Sequence, residues 1–172
     1  KFMKEEKLME MKIRNATLED AVELTRVESI NFPAIEAAKL DTMKCRLNYY
    51  PNHFFVMENS QGGIVGFING MVTNMKDLMD GMYTNAAMHD EKGEWQMIFG
   101  LSILPGYRGN GYSKRLFNSM IEAAKQEHRK GVVLTCKEEL VAYYEKLGFK
   151  DEGKSNSKHG GVEQWHQMRL TF

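Results

Sequence analysis

Between Pro105 and Ser113 the chain reads Pro-Gly-Tyr-Arg-Gly-Asn-Gly-Tyr-Ser, a glycine-rich turn between strand-forming residues and an amphipathic run. Glycines there allow positive φ and leave no side chain to block a ligand, and a helix N-terminus adds about half a positive charge. Such a turn suits a phosphate or pyrophosphate, although the same composition also serves as a tight connection. The spacing is not G-x-G-x-x-G, because Lys114 takes the last place, and no Gly-Lys-Ser/Thr completes a P-loop. His53, His89, His128, His159 and His166 show no mutual spacing that suggests a site and read as surface or loop residues. Cys45 and Cys136 form no C-x-x-C pair, so neither zinc nor a disulfide framework is expected. Tyr144 shares a helical face with Leu140, Val141 and Leu147 and can pack as a core tyrosine. Glu36 can be a solvated carboxylate at a helix start.

The elements that must position these residues follow from pattern. Residues 11–16 suit a short strand, and Thr17 with Asp20 resembles a cap opening a helix that stops at Phe32-Pro33. A second helix is predicted over 35–49. Residues 53–58 and 63–73 read as a hairpin, 74–94 as a loop with a helical turn or two, and 95–104 as one strand halted by Pro105-Gly106. In the helix that follows, Leu116, Phe117, Met120, Ile121 and Ala124 share one face. A strand over 132–136, a helix over 138–147 closed by Gly148, and strands near 149–155 and 162–172 complete a mixed sheet with packed helices.

The 172 residues fit one domain, expected over 11–172 with residues 1–10 as a tail. Lys and Arg together number 23 and Asp and Glu 23, so no broad attraction to nucleic acid or an anionic membrane is expected. No apolar run approaches the roughly 18–20 residues of a membrane span, and a reducing cytoplasm is the simplest home.

Leu101 to Gly111 resembles the acetyl-CoA-binding motif of the GNAT N-acetyltransferase superfamily, Gln/Arg-x-x-Gly-x-Gly/Ala. Arg108 and Gly111 match, and Ser113 stands where Gly or Ala is usual. Val133 to Phe149, with Tyr144 ahead of Gly148-Phe149, looks like the second acetyl-CoA motif. Ile13-Arg14-x-Ala-Thr-x-Glu-Asp20, Val27-Glu28 followed by Phe32-Pro33, and the block from Cys136 to Phe149 are similar to the arylalkylamine (serotonin) N-acetyltransferase group and its microbial relatives.

The resemblance implies an α/β (α+β) GNAT fold with a mixed, mostly antiparallel seven-stranded sheet and flanking helices. It implies acetyl transfer from acetyl-CoA to a primary amine by direct attack, without a metal, in a monomer or homodimer. Leu101, Ser102 and Ile103 would pair with pantetheine; Arg108, Gly109, Asn110, Gly111, Tyr112, Ser113 and Lys114 would wrap the pyrophosphate. Backbone N–H groups near Ile103 and Leu104 would steady the oxyanion. Tyr144 would protonate the departing thiolate. Glu36, in a stretch that overhangs the acceptor site in this fold, would handle the amine, with Glu28 and Glu94 as weaker candidates. Vertebrate arylalkylamine enzymes carry two histidines where this chain has Met97 and Phe99, so their base is missing. Met71, Met75, Met79 and Met82 are expected to line an apolar acceptor pocket, and Lys125, His128, Arg129 and Lys130 to complement a helix C-terminus. The alternatives are a peptide, lysine, polyamine or aminoglycoside acceptor, or an acyl-CoA sensor without turnover.

Overall fold

The computed structural model describes residues 10–161 and 164–172. In chain order its elements are β1 (Lys12–Asn15), α1 (Ala21–Asn31), α2 (Leu40–Tyr49), β2 (Phe54–Glu58), β3 (Ile64–Asn69), β4 (Val72–Thr73), α3 (Gly81–Thr84), β5 (Trp95–Ile98), β6 (Gly100–Ile103), α4 (Tyr112–Gln126), β7 (Gly131–Lys137), α5 (Val141–Lys146), β8 (Lys150–Lys154) and β9 (Trp165–Thr171). The chain divides into two compact units, Lys1–Asn69 with Gly100–Met120, and Gly70–Phe99 with Ile121–Phe172.

The first unit holds an antiparallel sheet in the order β1-β2-β3-β6. Its core includes Leu24 and Val27 of α1, Met43 of α2, and Phe54, Val56, Phe67 and Ile68 of the sheet, all at most 1% exposed. The predicted cap is present: the Thr17 N–H donates to the Asp20 carboxylate at 2.8 Å, and a short 3-10 turn, Leu18–Asp20, leads into α1. Asp20 also accepts from Arg14 at 2.8 Å. Burial pushes the Asp20 carboxyl upward, but Arg14 and the Thr17 N–H together hold it below its ordinary value.

The second unit holds a sheet in the order β4-β5-β7-β9-β8, with β5 and β7 parallel and the other pairs antiparallel. Met71, Val72, Met97, Val132, Val133 and Met168 are fully buried in it. The α/β class with flanking helices is as expected, but the described strands form two sheets of four and five strands instead of one of seven.

Three boundaries differ from the sequence reading. The second helix starts at Leu40, because Pro33 opens a turn whose carbonyl accepts from the Glu36 and Ala37 N–H groups, each at 2.9 Å. The strand expected over 63–73 breaks at Gly70, where a Cβ would stand 1.7 Å from the Met97 carbonyl oxygen. The strand expected over 95–104 breaks at Phe99, because its halves join different sheets, β5 beside β7 and β6 beside β3. Both halves are rich in β-formers, so composition conceals the break. Residues 1–9 of the expected tail, and positions 162 and 163 of the expected last strand, lie outside the described residues.

Candidate active site

Strand β6 ends the first sheet, so β3 pairs with one of its edges and no strand of that sheet covers the other. The Leu104 N–H donates to the Val65 carbonyl at 2.8 Å. Antiparallel alternation from that pair turns Gly100 and Ser102 toward β3 and directs the main-chain groups of Leu101 and Ile103 to the uncovered edge. Arg108 Nε donates to the Ile103 carbonyl there at 3.1 Å. The remaining groups can pair with an extended, amide-bearing ligand by strand addition. Ser102, expected to join that pairing, is spent on β3, and its hydroxyl is buried with no hydrogen-bond partner. The oxyanion donor expected at Leu104 is already engaged with Val65.

After β6 a 3-10 turn, Pro105–Tyr107, leads into the glycine loop. Gly109 and Gly111 both lie at φ 79°, and a Cβ on either would meet nothing within 4 Å. Positive φ is the reason for glycine at these positions. The first backbone bond of α4 runs from Arg115 N–H to the Gly111 carbonyl at 3.2 Å. Among the described residues, the N–H groups of Gly109, Gly111, Tyr112, Ser113 and Lys114 donate to no backbone carbonyl, while the Asn110 N–H closes the turn over Arg108 and Gly109. Successive unpaired N–H groups at a helix start form an anion-binding concavity. The Asn110 side chain braces it by donating to the Tyr107 carbonyl at 3.0 Å. Arg108 braces it too, through Ile103 and the Asn31 side chain. Its Nε and Nη2 are thus engaged by protein acceptors.

Two carboxylates of this unit come near the start of β6 or the α1–α2 connection. Glu36 sits half-buried in the turn after Pro33. Glu28 is only 5% exposed and occupies the buried stripe of α1 with Ala21, Leu24 and Val27. Its Oε2 accepts from the Ala38 N–H. A Cβ added to Gly100 would stand 3.6 Å from its Oε1. Burial pushes the Glu28 carboxyl above its ordinary value, against the pull of the Arg46 guanidinium and of the Ala38 N–H. Arg46, also buried, donates from Nη1 to Asn69 Oδ1 at 3.0 Å. Asn69 is the register partner of Gly100. The sequence signal for Glu28 was its place four residues from both Leu24 and Phe32 and seven from Ala21: an acid on the core face of a helix must be paired or used.

In the second unit, Tyr144 of α5 is partly buried, with its ring edge-on to Phe149 at 5.9 Å and to Tyr143 at 5.2 Å. Burial, with Cys136 and Tyr143 nearby, raises its phenol well above the ordinary value, and burial lifts the Cys136 thiol to about 11. Leu140 is 46% exposed, so it does not share a core face with Tyr144 as the pattern predicted. Met97 is core and Phe99 packs on Tyr83 at 5.0 Å, so neither replaces a base. Glu94 is ion-paired with Lys130 at 2.9 Å on the surface.

Other expectations need correction. His53 is buried in a 3-10 turn and so is neither a surface nor a loop residue, while His89 lies in a loop as expected but with its side chain only 6% exposed, accepting from the Val72 N–H. Met71 and Met82 are core while Met75 and Met79 are exposed, so the four methionines do not form one pocket lining. Arg129 does not face a helix end in solvent; it is buried, donating to the Gly93 carbonyl at 2.7 Å and pairing with Glu91 and Glu127.

The family model described as Acetyltransferase (GNAT) family matches residues 15–149. No curated protein matches the chain. Among solved structures, the loading GNATL domain of CurA from Lyngbya majuscula is similar at TM-score 0.80 and 17% identity, over 94% of this chain and 97% of that one. A GNAT-family acetyltransferase from Streptococcus pneumoniae is similar at TM-score 0.67 and 20% identity, over 95% and 100%. One from Brucella melitensis in complex with acetyl-CoA is similar at TM-score 0.60 and 18% identity, over 94% and 88%. With a family match spanning both acetyl-CoA motifs, the chain belongs to the acetyltransferase (GNAT) family.

Proposed function

We propose that the protein transfers the acetyl group of acetyl-CoA to a primary amine, an arylalkylamine-like small molecule, by direct attack in a ternary complex. The observation that carries the donor half is the set of unpaired N–H groups at Gly109 and from Gly111 to Lys114 at the start of α4. It offers a pyrophosphate what it requires, successive donors at the positive end of a helix. The edge of β6 that no strand of its sheet covers supports the pantetheine assignment, with Leu101 as the residue that pairs and the Ile103 N–H left for the oxyanion.

The chemistry follows in order. The acceptor enters as an ammonium, gives up a proton to a carboxylate directly or through water, and attacks the thioester carbonyl; Ile103 N–H is the oxyanion donor we assign. The C–N bond forms, the C–S bond breaks, and Tyr144 gives its proton to the thiolate. The Tyr144 phenol is protonated across the neutral range, as that role requires, and burial makes it a weaker acid than a solvated phenol. Glu36 is the carboxylate that the resemblance nominates for the amine.

CoA release should be measured over a panel of aromatic amines, polyamines, aminoglycosides and peptides. Turnover with arylalkylamines above the others is the expected result. Turnover restricted to peptides or polycations would replace the acceptor, and tight acetyl-CoA binding without any turnover would make the protein a sensor. The burial of Met97 and the packing of Phe99 at the histidine positions favour that second reading.

A further inference from the structure

A buried guanidinium must spend its N–H donors, and a donor left open is costly. Arg169 of β9, 6% exposed, is in that situation. Its Nε donates to both Glu152 oxygens at 3.0 and 2.9 Å and its Nη2 to Asp77 at 2.9 Å, but among the described residues its buried Nη1 has no acceptor. The guanidinium lies 4.6 Å over the Trp95 ring, in the wall of a cleft of about 440 Å³. Register builds that wall at the end of the second sheet where β5 and β7 begin: Trp95 pairs with Gly131, Gly131 with Thr171, and Arg169 with Lys150 of β8. Strand alternation turns these side chains to one face, and Lys76 and Lys130 complete the cleft from the connections beside it. The lining therefore holds four cations and one carboxylate, Glu152, in a chain of zero net charge. Arg169, Gln167 and Lys76 hold the Glu152 carboxyl below its ordinary value against its desolvation, so its charge is already spent on them. Lys130 pairs with Glu94, but Lys76 and Lys150 are exposed and form no ion pair among the described residues.

We propose that this cleft binds a phosphate-bearing anion, held by Lys76 and Lys150 over the wall that Arg169 forms. An ammonium is a compact point charge that suits phosphate oxygens from many directions. A monoanionic carboxylate would be met by one free lysine; two free lysines beside a guanidinium with an open donor fit a dianion. The Thr171 hydroxyl adds a neutral donor to the same lining. The volume exceeds that of inorganic phosphate and falls in the range of small-molecule sites, so the body of a phosphate monoester also fits. The cleft is separate from Tyr144 within this unit. Tyr144 lies near Cys136, which is five residues along β7 from Gly131, roughly 17 Å at the rise of a strand, and on the opposite face of the sheet. The inference is independent of the acetyl-transfer reading.

Trp95 reports on the cleft, and Trp165→Phe leaves it as the single tryptophan of the chain. Inorganic phosphate, pyrophosphate and AMP are titrated into that variant while chloride holds the ionic strength constant, and Trp95 emission is followed. Calorimetry of the same anions on the chain with both tryptophans gives the comparison independently of that substitution. Both measurements are repeated with Lys76→Ala/Lys150→Ala and, to separate the glycine loop, with Gly111→Glu, all checked for folding by circular dichroism. We expect a saturable response to the phosphate anions, weakened by at least about tenfold in the double lysine variant and retained in Gly111→Glu. Tighter binding of AMP than of inorganic phosphate assigns a phosphate monoester, and equal affinities assign the free anion. No saturable response in either measurement, a response that chloride alone reproduces, or an affinity within about threefold of the parent in the double lysine variant overturns the site. So does a response lost in Gly111→Glu and kept in the lysine variant, which would place the anion at the loop.

Discussion

At Tyr144, burial sets the chemistry. A phenol held protonated by burial beside a buried, also raised thiol is in the donor form across the neutral range. Replacing Tyr144 with Phe keeps the ring that packs on Phe149. Steady-state assays should show kcat lower by roughly 10²–10⁴-fold, with acetyl-CoA affinity unchanged by calorimetry. A change under about threefold would make Tyr144 a packing residue. Tyr144 and the glycine loop were legible in the sequence because motif spacing marks them. Glu28 was only half legible: its place on an apolar stripe is visible in the pattern, but its closeness to Gly100 depends on how α1 meets the sheet. The inward turn of Arg108 was not legible at all, since its partners Asn31 and Ile103 are brought to it by tertiary structure.

Among the elements, the glycine loop and the start of α1 carry the sharpest expectations. Glu in place of Gly111 would force a side chain into positive φ and set a negative charge among unpaired N–H groups. Calorimetry on the folded variant should show acetyl-CoA binding weaker by well over tenfold, above about 1.4 kcal/mol. The Arg14–Asp20 pair with the Thr17 N–H fastens α1 to β1. Because the folded Asp20 pKa is depressed, its stabilisation is present above the unfolded value near ~3.9 and is lost as pH falls through the lower folded value. Asp20→Asn should therefore cost about 1 kcal/mol in urea unfolding at pH 7, and the gap from the parent should close as pH falls below the unfolded value. Element types were readable from periodicity along most of the chain. The breaks at Gly70 and Phe99 were not, because sheet membership depends on which strand lies alongside, a property that β-forming residues share on both sides of each break.

For the whole molecule, a ligand bound to the folded state alone must raise its stability. At one hundred times its dissociation constant, acetyl-CoA should contribute about 2.7 kcal/mol, seen as a rise of roughly 5–10 °C in the thermal midpoint. CoA analogues without the pyrophosphate should give much less if the loop is the main anchor. No described helix is long and apolar enough to cross a membrane, and the formal net charge is zero. A protein without net charge has little electrostatic protection against self-association near neutral pH. The uncovered edge of β6 gives that fact a particular address. A strand edge ready to pair with pantetheine is chemically the same object as one ready to pair with another polypeptide. If acetyl-CoA takes that edge as proposed, the cosubstrate is also a guard, and aggregation on storage should slow in its presence.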